Sequence, residues 1–122
     1  MPKTRVVLYQ ENPGTVPLLD WFDTLSPKAQ DKCMVRIERL QGLGHELRLP
    51  EADLLRDGIY ELRAGWGGIN YRLLYFFHGR HTAVLCDGLT KERIVPARDI
   101  DLAIRRKRTF EKDPESHTCR EL

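Results

Sequence analysis

The sequence lacks any long hydrophobic run. No stretch approaches the length needed to cross a bilayer, and the opening residues, MPKTRVVLYQ, hold no apolar core of a secretory signal. The expected location is the cytoplasm, with no membrane partner. Cysteine is scarce as well. Cys33, Cys86 and Cys119 are odd in number and never spaced as CxxC, which argues against a disulfide framework and fits free thiols in a reducing compartment. Also missing are a glycine-rich phosphate loop followed by Lys-Ser/Thr, an HExxH pair and a GxSxG elbow. The four histidines add little. His78 and His81 flank a turn, His45 sits in a loop, and His117 with Cys119 makes only two metal ligands near the end of the chain. No cofactor or metal is expected.

What is present describes one ordinary domain. A chain of 122 residues with 41% hydrophobic and 31% charged side chains is of single-domain size and too apolar for disorder. It has no repeat and no linker. A core this small leaves its function to a shallow cleft or a surface. The net charge is only +2, yet its distribution is uneven. Acidic residues scatter through the first half, while Lys91, Arg93, Arg98, Arg105, Arg106, Lys107 and Arg108 gather near the end. Such asymmetry hints at a polyanionic partner, although a basic terminal helix is more often a solvated face.

Periodicity divides the chain into elements. Thr4 to Tyr9 is a β-branched run that predicts a strand, ended by Asn12-Pro13-Gly14. Val16 to Leu25 predicts a short amphipathic helix. A second helix starts at Ser26-Pro27, with serine as N-cap, and stops at Gly42 and Gly44. Residues 45–57 read as loop, with a turn of helix at Glu51 to Leu55. Three strands follow: Ile59 to Trp66, Ile69 to Phe77 and Thr82 to Asp87, joined by Gly67-Gly68 and Gly79-Arg80 as two-residue hairpin loops. A loop over 88–95 leads to Pro96, which opens a last helix to about Phe110. The expected fold class is α+β: an N-terminal strand, a helical hairpin, a three-stranded antiparallel meander and a C-terminal helix. The domain is expected over residues 1–110, with a flexible tail over 111–122. The helices should cover one sheet face and leave the other partly open.

The hairpin register makes the sharpest prediction. With Gly67-Gly68 as the turn, Arg63 lies directly across from Arg72, and like charges facing each other are destabilising unless they share an anion, a carboxylate or open water. If Gly79-Arg80 is the next turn, Asp87 flanks Arg72 from the other side as a surface salt bridge. One carboxylate cannot satisfy two guanidinium forks, so donor capacity should remain for a phosphate. Tyr60, Leu62 and Ala64, with Tyr71, Leu73, Tyr75 and Phe77, form the opposite, apolar face. The arginine face is then the open one, with Lys91 and Arg93 in the following loop.

Asp57-Gly58-Ile59-Tyr60-Glu61-Leu62-Arg63, Tyr71-Arg72-Leu73-Leu74-Tyr75, Gly88-Leu89-Thr90-Lys91, and Pro96 with Asp99-Ile100 and Ala103 together resemble the RelE/ParE toxin superfamily, and within it the HigB-like, phage-derived branch. The resemblance spans about residues 4–110. It implies a RelE-like fold and the toxin of a toxin–antitoxin pair: a metal-independent endoribonuclease that cuts mRNA on the ribosome and is held by a small antitoxin of helix-turn-helix type. By the same resemblance Arg63 and Arg72 bind and stabilise the scissile phosphate, and Lys91 matches the first lysine of the family's lysine pair. Arg93, Trp66 and Asp87 are further substrate-binding candidates, with Trp66 and Phe76 as base stackers and Phe76 better placed in the core.

The sequence also departs from the family pattern. Glu92 stands where the second lysine would, Asp87 where a histidine is often found, and no C-terminal tyrosine follows Tyr75. General acid and base are thus unassigned among Lys91, Glu92 and Asp87. The alternatives to a nuclease are an inactive relic and a ParE-like protein-binding module of the same fold.

Overall fold

The computed structural model describes residues 3–90 and 93–120. The fold is α+β, built on a six-stranded mixed sheet with three helices. In chain order these are β1 (Arg5–Tyr9), α1 (Pro17–Phe22), α2 (Pro27–Leu43), β2 (Ala52–Arg56), β3 (Ile59–Trp66), β4 (Ile69–His78), β5 (Thr82–Thr90), α3 (Ala97–Lys112) and β6 (Thr118–Cys119). Across the sheet the order is β2-β3-β4-β5-β1-β6. β1 runs parallel to β5, and the other neighbours are antiparallel. Among the described residues no helix is long and apolar enough to cross a membrane.

Local chemistry sets the element ends. Ser26 caps α2, its Oγ accepting a hydrogen bond from the Ala29 amide at 3.2 Å, with Pro27 in the first turn where a missing N–H costs nothing. Gly67 and Gly68 both take positive φ, 58° and 78°, as a two-residue turn matched to strand twist requires.

Both faces of the sheet are covered. Leu62, Ala64, Tyr71, Leu73, Tyr75, Ala83 and Leu85 face α1 and α2, joining Leu18, Ala29, Cys33, Ile37 and Leu40 in one core. Ile59, Leu74, Phe76, Val84, Cys86 and Leu89 face α3 and pack on Ala103, Ile104 and Phe110 in a second. The expectation of an open arginine face is therefore corrected: α3 lies on it, and only the end holding Arg63 is half-exposed. Phe76 is fully buried, edge-on to Phe110 with ring centroids 5.5 Å apart.

The structure differs from the sequence reading in further places. The segment read as loop with a helical turn contains strand β2, because Asp57-Gly58, with φ of 51° and 79°, forms a hairpin turn that pairs Leu54 with Tyr60. The β4–β5 connection is three residues, Gly79 to His81, since His78 pairs with Thr82. A β-bulge then inserts Cys86 between the Tyr75–Leu85 and Leu74–Asp87 pairs, so Arg72 faces Leu89, not Asp87. Beyond Phe110, α3 continues to Lys112, and residues 118–119 return to pair with β1.

Gly88 shows how tightly α1 sits on the sheet. A Cβ there would overlap the Trp21 indole, so the ring would have to shift. We expect Gly88→Ala to lower stability by about 1–3 kcal/mol through overpacking, measured as a shifted urea midpoint at unchanged slope.

Candidate active site

Alternation along β3 puts Glu61 and Arg63 on the α3 side of the sheet, and the observed register puts Arg63 opposite Arg72 on that same side. The sequence-derived pairing of the two arginines is thus the one found. Their shared counter-ion is Glu61, which sequence reasoning missed, and not Asp87. Arg63 Nη2 donates to Glu61 Oε2 at 3.0 Å. Arg72 Nε lies 2.7 Å from Glu61 Oε1, an ion-pair contact not directed as a hydrogen bond. Arg72 Nη2 donates to the carbonyl of Arg93 at 3.2 Å. Asp53 stands 3.9 Å from Arg63 Nη2.

Burial separates the three groups. The side chains of Glu61 and Arg72 are 6% and 8% exposed, whereas Arg63 is 35% exposed. Arg63 Nε is buried without a hydrogen-bond partner among the described residues. The pair therefore has one guanidinium locked inside and one reaching solvent.

A cleft of about 250 Å³ opens beside them, lined by Arg36, Pro50, Arg63, Ala64, Gly65, Asn70 and Arg72. Arg36 comes from α2 on the opposite side of the sheet. It passes β3 where β2 has ended, and its Nε donates to the Arg63 carbonyl at 2.8 Å. Its Nη1 donates to Glu51 at 3.0 Å, and Arg39 donates to the same carboxylate through two nitrogens. The Arg39 guanidinium, with Arg36, holds the Glu51 carboxyl below its usual range. Three arginines line this cleft, which makes it a candidate place for an anion.

The other candidates are dispersed. Lys91, with Glu92, lies outside the described residues. Arg93 contributes its backbone carbonyl to Arg72 and an exposed side chain. Trp66 is exposed at the β3–β4 turn on the α2 side, with Lys32 Nζ 5.7 Å above its ring. Asp87 belongs to a different group. It lies 3.5 Å from Arg106 Nη1 on α3, and Arg106 also donates to the Cys86 carbonyl at 2.9 Å.

Burial pushes the Asp87 carboxyl above its ordinary range, with Arg106 and the Gly88 amide pulling the other way. Burial pushes the Cys33 and Cys86 thiols up to about 11 and about 12, so neither is a thiolate nucleophile near neutrality. His45, His78 and His117 lie against Phe77, Phe110 and Tyr9. Among the described residues no three His, Cys, Asp or Glu side chains gather as a metal site.

Two predictions follow from these contacts. Glu61→Ala leaves a buried Arg72 without its counter-charge and should cost about 3–5 kcal/mol, whereas Glu61→Leu combined with Arg72→Met should recover much of that loss; chemical denaturation of both variants checks it. Asp87, with its raised folded-state pKa, binds its proton more tightly in the folded than in the unfolded chain. Its contribution thus weakens the fold as pH climbs from the ordinary carboxylate value to the raised one, and is flat above. Asp87→Asn should abolish that part of the slope in a pH series of urea titrations.

Residues 20–108 match the family described as Phage derived protein Gp49-like (DUF891), well over half of the chain. No curated protein matches it. That family is RelE- and toxin-like and is associated with toxin–antitoxin systems, which implies an antitoxin as partner. With its two-sided sheet and arginine cleft, the chain belongs to the phage-derived Gp49-like family.

Proposed function

We propose that the protein is the toxin of a toxin–antitoxin pair, of the HigB-like kind, that cleaves mRNA on the ribosome without a metal and is neutralised by a helix-turn-helix antitoxin. The observation that carries this reading is the convergence of Arg63 and Arg72 on one carboxylate at the mouth of a cleft completed by Arg36. Glu61 accepts a hydrogen bond from Arg63 and stands in ion-pair contact with Arg72, which leaves donor capacity on Arg63, the half-exposed member. A phosphodiester is a fitting anion for it, being planar enough at its two free oxygens to take a bidentate fork.

In the reaction, the 2′-hydroxyl gives up its proton as its oxygen attacks the adjacent phosphorus, the P–O5′ bond breaks, O5′ takes up a proton, and a 2′,3′-cyclic phosphate and a 5′-hydroxyl result. Negative charge grows on the equatorial oxygens of the phosphorane, and guanidinium groups already aimed there stabilise that state more than the ground state. Arg72, fixed by Glu61 and by the Arg93 carbonyl, serves as the immobile donor. Arg63 follows the substrate. Lys91 enters as a third cation on the strength of the family resemblance alone. Asp87, turned to Arg106, is withdrawn from direct contact with Arg72 and retained only as a candidate proton carrier.

A non-cleaving, protein-binding module is the second reading, favoured by the near-complete burial of Arg72. Purified protein added to a translating cell-free system, with mRNA ends mapped by primer extension, separates the two. Cleavage by the parent, lowered about 100- to 1,000-fold in Arg72→Ala and in Arg63→Ala, is expected. Arg72→Lys should not restore it, since an ammonium lacks the fork. Intact mRNA with translation still arrested would instead establish the binding module.

A further inference from the structure

A second depression adjoins the arginine cleft on the other side of the sheet. It measures about 160 Å³ and is lined by Lys32, Val35, Arg36, Ala64 and Gly65. Arg36, Ala64 and Gly65 belong to both depressions. The two therefore form one groove that passes round the edge of β3, at the point where β2 has ended.

Gly65 is the crossing point, and nothing among the described residues accounts for a glycine there. Its φ does not lie in the left-handed region, and a Cβ would meet only the Ile69 carbonyl oxygen, at an ordinary 3.8 Å. Glycine weakens a strand interior, and in a strand it often marks where a ligand approaches the backbone closely. One residue further, Trp66 is 43% exposed and pairs with Ile69, which is 45% exposed; Val35 on α2 is 50% exposed. Lys32 Nζ sits over the Trp66 ring, and Arg36 lines both depressions.

Cations on both sides of a bare glycine, ending at an exposed indole, suit a flexible polyanion with flat apolar bases. Three residues of β3 separate Arg63 from Trp66, about 10 Å along the strand. Arg63 lies on the α3 side and Trp66 on the α2 side, so a chain that reaches both wraps round the β3 edge.

We infer that single-stranded RNA crosses the β3 edge over Gly65, with one phosphate at Arg63 and Arg72 and the neighbouring base stacked on Trp66 beside Lys32. This rests on the phosphate-site reading above and adds the path of the strand. Stacking on an aromatic face tolerates any base, so the platform grips without selecting sequence. Lys32 and Arg36 then meet the phosphate on the far side of the crossing.

The test is binding of a fluorescently labelled, uncleavable 2′-O-methyl hexanucleotide of mixed sequence, followed by anisotropy at low salt with the full-length chain. Trp66→Ala should weaken binding about 5- to 150-fold, the range of one base stack, while Trp66→Tyr stays close to the parent. Gly65→Val should weaken it about tenfold or more, with a melting temperature no lower than the parent's, because valine is the better strand former. Parental affinity in either Trp66→Ala or Gly65→Val overturns the path. So does a Trp66→Ala variant that loses only antitoxin binding, which would make the patch a protein surface. Loss of binding in Arg72→Ala alongside an unaffected Trp66→Ala leaves the phosphate site standing without the platform. A parent that does not bind the free oligonucleotide overturns the path, while cleavage on the ribosome stands or falls by the primer-extension result.

Discussion

The arrangement depends on one carboxylate. A two-residue turn at Gly67-Gly68 brings Arg63 and Arg72 face to face, and directly paired Cβ atoms in such a ladder are only about 5 Å apart. Two guanidinium groups at that range, one of them buried, would push the strands apart or force a register slip. A slip of one residue would move Leu62, Ala64, Tyr71 and Leu73 out of the core they fill against α2. Glu61, one side-chain repeat before Arg63 on the same face, resolves the conflict by taking both cations. The hydrophobic pattern fixes the register, the register creates the charge problem, and Glu61 turns that problem into a site.

The two faces of the sheet divide the remaining work. Helix α3 covers the arginine side over Leu74, Phe76 and Cys86, and its Arg106 claims Asp87. The bulge at Cys86 makes this possible, because it carries Asp87 past Arg72 to a position opposite Leu74. Helix α2 covers the other side, yet sends Arg36 round the unpaired end of β3. The short reach of β2 therefore matters. A longer β2 would have occupied the β3 edge and closed the cleft to Arg36 and to any ligand.

Much of this was legible in the sequence. Alternation along β3 and β4, with the Gly-Gly turn, yields the Arg63–Arg72 pairing and the apolar face opposite. The same alternation places Glu61 beside Arg63, a neighbour along the strand and not a partner across the ladder. Strand β2 was hidden by residues that favour helix, Glu51-Ala52-Asp53-Leu54-Leu55, although Asp57-Gly58 is a strong hairpin signal. The Asp87 assignment failed for a different reason. A three-residue loop and an inserted Cys86 each shift the register, and neither a loop one residue longer nor a bulge leaves a mark in residue type that periodicity can detect. Arg36 is harder still. It flanks the apolar stripe of α2, between Cys33 and Ile37, and only the tertiary fold decides which sheet edge such a residue reaches.

The burial of Arg72 bears on how an anion is held. Stripping a guanidinium of water is costly, and a ligand that had to do so would lose most of the attraction it gained. Here Glu61 and the Arg93 carbonyl have already drawn Arg72 out of water during folding, so that cost does not fall on binding. Under the proposed function, an incoming phosphate would meet one cation that is dry and oriented, and a second, Arg63, that is half-exposed and held to Glu61 through one nitrogen. Charge that grows during a reaction then finds donors in place, with little solvent to reorganise, which is the condition under which fixed dipoles and ions stabilise a transition state most. A carboxylate that neutralises the arginine pair at rest is thus compatible with anion chemistry, because the same contact that lowers the field of Arg72 keeps its geometry.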